Sequence, residues 1–146
     1  MSHNRPSCAA SNATIERLAN PPKIEMFGPV AARFVYSLRL IALHDRARRD
    51  PVPELAMRLG NIEIAAKALA LSQAITSVWP ENIQVSRFCC QLMTHDEATI
   101  AALIDAAAHR DSTRFEAAVA GLIRPDRIHR LWDGVLALIE AEMHRA

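Results

Sequence analysis

Aromatic residues and glycines are scarce in this chain, which has two Trp, one Tyr, four Phe and four Gly among 146 residues. Strands favour aromatic and β-branched residues, and tight hairpins favour glycine turns, so the shortage argues against a sheet-rich fold. Cysteine is also rare. Cys8, Cys89 and Cys90 are too few for a disulfide framework, and an odd count fits a reducing compartment. No stretch reaches the roughly 18 uninterrupted apolar residues of a membrane span. Arg39 and His44 break the most hydrophobic segment and Lys67 breaks the next. The opening residues, MSHNRPSCAASNATIERLANPPK, lack the apolar core of a signal peptide, so the expected location is cytoplasmic and no membrane partner is expected.

An excess of either charge is missing too. Lys and Arg number 17 against 16 Asp and Glu, a net charge of +1. The sequence pI is about 7.8, whereas nucleic-acid-binding domains usually lie above about 9 with a concentrated basic face. Nucleic acid is therefore not the expected partner. The chain also has no Gly-rich phosphate loop, no serine or cysteine nucleophile motif and no H-E-x-x-H. No catalytic residue, cofactor or metal ligand set is assigned, and the reading leans against an enzyme.

What the chain does contain is alanine, its commonest residue, in segments with helical periodicity. Residues 1–27 mix Ser, Asn, Pro and charge without a period and read as a flexible tail, with one helical turn around Thr14–Ala19. Residues 28–146 read as the domain. Gly28-Pro29 suits a helix start, and Phe34, Val35, Leu38, Ile41 and Ala42 form one apolar face of a helix reaching about Arg49. A short helix over 53–59 follows Asp50-Pro51-Val52-Pro53, and Gly60-Asn61 separates it from a helix over 62–78. That helix is apolar around most of its circumference, which predicts a central position or a homodimer contact. Trp79-Pro80 stops it. Residues 81–93 alternate weakly and predict an extended crossing segment, since no second strand is apparent to pair with them. Further helices are expected over 95–109, from Asp111-Ser112 to about Ile123, and from Pro125 to Arg145. The expected fold is all-α, a single domain of five to six helices in bundle-like or orthogonal packing.

Chemistry concentrates in R-F-C-C-Q-L-M-T-H-D-E, residues 87–97. Cys89, Cys90 and His95 are the candidate thiol site. Adjacent cysteines suit tetrahedral zinc poorly, because two thiolates usually reach one ion from a C-x2-4-C spacing; a complete site would need His44, His109, His129 or Cys8 to arrive from elsewhere. A thiol near a helix N-terminus can be nucleophilic, but Cys90 lies four residues before the cap, so burial of both cysteines is expected. Thr94 and Glu97 match a capping box, which gives His95-Asp96-Glu97 a structural explanation in place of an acid/base one. Arg39, Arg46, Arg48 and Arg49 form a candidate basic patch. Residues 53–72 have a helix-turn-helix outline, yet the second helix carries Ala, Leu and Ile with Lys67 its only cation, where base readout needs Arg, Asn, Gln or Lys.

The Cys-Cys pair followed by Met-Thr-x-x-Glu, between Cys89 and Glu97, resembles a family of short, functionally uncharacterised, chiefly alphaproteobacterial helical proteins. The resemblance implies a small helical bacterial protein and carries no functional residue with it. The expected function is a non-catalytic interaction or regulatory role with a protein partner, a homodimer included. The alternatives are a thiol- or metal-dependent site at Cys89-Cys90 and a DNA-binding regulator using residues 53–72.

Overall fold

Glycine-proline at residues 28–29 starts the first long helix, as the missing proline N–H requires no partner there. The Gly28 N–H is bound by the Asp105 carboxylate at 3.1 Å. The computed structural model describes residues 21–145, and in them the chain forms α1 (Pro29–Arg46), α2 (Val52–Leu59), α3 (Ile62–Val78), α4 (His95–Ala108), α5 (Ser112–Val119) and α6 (Pro125–Met143). The fold is all-α and packs as one compact domain of helix against helix. Cys8 and the turn expected around Thr14–Ala19 lie outside the described residues.

Helix ends follow local chemistry. Asn61 caps α3, its side chain accepting from the N–H groups of Glu63 and Ile64 at 2.8 and 3.0 Å. Gly60, at φ +75°, takes the left-handed position that ends α2. The end of α1 is unusual, because Arg48 adopts φ +55°. Its N–H reaches the Asp45 carbonyl at 3.1 Å while the Arg49 N–H reaches that of His44 at 2.8 Å, a Schellman closure with arginine in the glycine position. This closure ends α1 at Arg46, ahead of the expected Arg49. Likewise α5 stops at Val119, short of Ile123, where Ala120 turns extended and Gly121 takes φ +78°.

The helix buried over the largest share of its length is α4. Ile100, Ala101, Leu103, Ile104, Ala106 and Ala107 are all buried, and α4 packs on α1, α5 and α6. In α3 the buried residues Ile64, Ala65, Ala68, Leu71, Ser72 and Ile75 share one face, packed on α1, α2 and α6, while Ala66, Lys67, Ala70 and Gln73 face outward. Alanine is apolar in sequence but cheap to expose, so a helix can look apolar all round and still bury a single stripe. The outward face of α3 is thus mostly alanine and polar side chains, with Ile62 exposed at its first turn. No helix among the described residues is long and apolar enough to cross a membrane.

Residues 79–94 cross the molecule without helix, interrupted by a turn at residues 87–90, as their lack of helical period predicts. A single antiparallel bridge joins Leu92 to Lys23, supported by Ile24 N–H to the Gln91 carbonyl at 3.0 Å and Met93 N–H to that of Pro22 at 2.9 Å. Residues 21–27, assigned from sequence to the tail, are therefore docked: Ile24 is buried in the core within a short 3-10 turn. A lone buried isoleucine between prolines and charges has no periodicity to reveal it.

Candidate functional site

The stretch 86–97 is organised around one buried ion pair. Thr94 caps α4, its hydroxyl accepting the Glu97 N–H at 3.0 Å, while the Glu97 carboxylate accepts the Thr94 N–H at 2.9 Å. That carboxylate also receives the Arg39 guanidinium in a fork, Nε to Oε2 at 2.7 Å and Nη2 to Oε1 at 2.9 Å, and the Ser86 N–H at 3.1 Å. Both side chains are 0% exposed. Arg39 further donates from Nη1 to the carbonyls of Cys90 at 2.6 Å and Phe88 at 3.4 Å, and from Nη2 to that of Leu92 at 3.0 Å. A guanidinium has five N–H donors, and all five are engaged. Burial works against its charge, but the hydrogen bond and field of Glu97 outweigh that cost, so its pKa is raised.

This arrangement corrects two expectations. Arg39 does not belong to a surface patch with Arg46, Arg48 and Arg49, which are exposed; it lies on the inward face of α1 and ties the crossing segment to the core. The cysteines are not buried. Cys89 is exposed and Cys90 is half-buried, because the Cys90 N–H closes a turn onto the Arg87 carbonyl at 3.0 Å and the backbone carbonyls, rather than the thiols, turn in toward Arg39. His95 is exposed in the first turn of α4.

No group of three or more His, Cys, Asp and Glu among the described residues could hold a metal ion. His44 is taken by Glu54 at 3.0 Å, His129 lies beside Asp133 at 3.4 Å, and the His109 ring bonds the Asp105 carbonyl in its own helix. In the helix-turn-helix-like unit, α3 turns Ala66, Lys67, Ala70 and Gln73 outward.

A second constellation surrounds the end of α1. Glu54 of α2 accepts from Arg58 Nε at 2.8 Å and bonds the His44 ring at 3.0 Å, and these two hydrogen bonds, Arg58 foremost, hold its carboxyl below the ordinary value of 4.5. The Arg58 guanidinium sits over the Phe88 ring at 4.8 Å. Phe88 in turn meets Tyr36 at 5.8 Å, and Arg39 lies 5.6 Å from the Tyr36 ring. A column thus runs from the buried ion pair to the surface, with the two aromatic rings of Tyr36 and Phe88 between the guanidiniums of Arg39 and Arg58. Around its outer end lies an open trough of about 470 Å3, lined by Leu40, Leu43, His44, Arg46, Ala47, Arg49, Glu54, Arg58 and Phe88. Sequence reasoning found Arg46 and Arg49 but missed Arg58 and Phe88. The Glu54/Arg58 spacing of four residues was legible as a helical pair; nothing in sequence brought Phe88 to it.

Comparison of the chain with protein-family models, with curated proteins and with solved structures finds no match in any of the three.

Proposed function

We propose that this protein is a small cytoplasmic binding protein with a non-catalytic interaction or regulatory role, of the short helical bacterial type that its Cys-Cys to Met-Thr-x-x-Glu segment resembles. The supporting observation is the state of its densest polar centre. Every donor of Arg39 is spent on Glu97 and on the carbonyls of Phe88, Cys90 and Leu92, which leaves no hydrogen bond to offer a substrate. The centre holds the crossing segment in place, and that segment carries Phe88 to the surface. The experiment is photo-crosslinking of the full chain in its native cells, with a photoreactive residue placed singly at the exposed positions Met26, Leu43, Met57 and Met143. At least one position yields a discrete adduct with a protein, a second copy of the chain included; absence of any adduct at all four overturns the proposal.

A second reading, thiol-dependent regulation at Cys89-Cys90, draws support from the exposure of Cys89 at the tip of its turn. Site-mapped alkylation of the native protein at neutral pH tests it. Failure of both residues to react removes the reading.

A further inference from the structure

Resting on that interaction reading, we infer that the trough at the end of α1 is a docking site for an acidic amphipathic segment of a partner protein. Its apolar side chains would lie on Leu43 and Phe88, and its carboxylates would face Arg46, Arg49 and Arg58. Charge complementarity argues for the acidic character. Three guanidiniums border the trough against one carboxylate, Glu54, which is already bound by Arg58 and His44. Arg46 and Arg49 are exposed and form no ion pair among the described residues.

The amphipathic character follows from the floor. Leu43 is 45% exposed there, and Phe88 is half-buried beside it, with Arg58 over its ring and Tyr36 tilted against it. A highly charged partner without apolar groups would leave Leu43 wet, and an apolar partner would strand the arginines in a dehydrated contact. The shape favours a length of chain over a compact ligand. Small-molecule sites enclose most of their ligand, whereas this trough is open and continues past Leu40, Arg58 and Phe88 into a second cleft of about 200 Å3 between α1 and α2. Nucleic acid is disfavoured because only three arginines line the trough, one of them paired with Glu54, on a chain of net charge +1, whereas duplex binding needs several phosphate contacts spread along a face.

The test uses the purified full chain and three labelled probes followed by fluorescence anisotropy. The first is a helical peptide of Glu with Leu at helical i, i+4, i+7 spacing, the second has the same Glu positions with Ser for Leu, and the third is a short DNA duplex. The Leu-containing peptide binds at least about tenfold more tightly than the Ser peptide and the duplex, and the double variant R46E/R49E weakens it by at least about tenfold at low salt. Both replaced side chains are exposed, so the melting curve of the double variant stays close to that of the parent and reports that it is folded. Equal binding by the double variant, equal binding by the Ser peptide, or tighter binding by the duplex overturns the proposal. The crosslinking positions separate this proposal from the broader one: adducts at Met26 or Met143 with none at Leu43 overturn the trough and leave an interaction protein standing, whereas no adduct anywhere removes both.

Discussion

Arg39 illustrates how much one side chain can organise. A guanidinium with five donors meets three carbonyls from a segment without helical or sheet bonding of its own, together with the carboxylate that caps the next helix. Arg39→Met strands a buried carboxylate and those carbonyls at once, so a loss of about 3–5 kcal/mol is expected in urea denaturation. Replacing both partners, Arg39→Met with Glu97→Leu, removes the uncompensated charge. The double variant is then expected to be more stable than the sum of the single losses by more than about 1 kcal/mol; strict additivity would show that the two groups do not act as a pair. Cys89 and Cys90 differ by one position and by exposure. Alkylation mapped by mass spectrometry is expected to modify Cys89 faster than Cys90, and the reverse order would contradict the turn at residues 87–90. None of this was visible as chemistry in R-F-C-C-Q-L-M-T-H-D-E. The capping pattern of Thr94 and Glu97 is local and legible, but the second use of the Glu97 carboxylate needs a residue 58 positions away in sequence.

Between elements, the clasp of His44, Glu54 and Arg58 fixes α2 against the end of α1. Glu54 titrates below its ordinary value of 4.5 in the folded chain, chiefly through the Arg58 hydrogen bond and then that of His44. A carboxylate with a depressed folded pKa contributes stability above its unfolded value and loses it as pH falls through the folded one. The stability advantage of the parent over Glu54→Gln is therefore expected to be fully present near neutral pH and to be lost progressively as the pH falls below the ordinary value of 4.5 and through the depressed folded one, measured as the difference between their denaturation midpoints. A pH-independent difference would show that the clasp acts through packing alone. The adjoining helix end carries strain instead. Arg48 occupies a left-handed position that glycine adopts freely, so Arg48→Gly is expected to raise stability by about 1 kcal/mol. A loss of stability would mean that the Arg48 side chain makes contacts that outweigh the backbone cost. Sequence patterning located α1, α2 and their junction through periodicity and prolines, yet placed the end of α1 three residues late, because the stop is set by a backbone turn that arginine does not advertise.

At the scale of the whole molecule, the two outer ends of the chain's helical part are joined. Arg33 in α1 forks onto Glu142 in α6, with Nε at 3.0 and 3.1 Å and Nη2 at 2.6 Å, and Arg145 reaches the Leu59 carbonyl of α2 at 3.0 Å. Glu142 is 3% exposed at its side chain, so Arg33→Ala leaves it nearly buried with only Arg145 nearby, at 3.6 Å. Arg33 itself is 39% exposed, and solvent screening tempers the pair; the expected loss is about 1–3 kcal/mol. An unchanged melting temperature would show that the fork contributes nothing to folding.

The sequence alone determined what local physics determines: helices from alanine abundance and apolar spacing, their starts from Pro29, Asn61, Thr94, Asp111 and Pro125, and the crossing segment from its missing period. Tertiary structure decided which faces meet. The burial of α4, the docking of Ile24, the withdrawal of Arg39 from the surface and the meeting of Phe88 with Arg58 all depend on partners far apart in the chain. Burial of a charge or exposure of a thiol is a property of such partners, and no spacing rule within one helix encodes it.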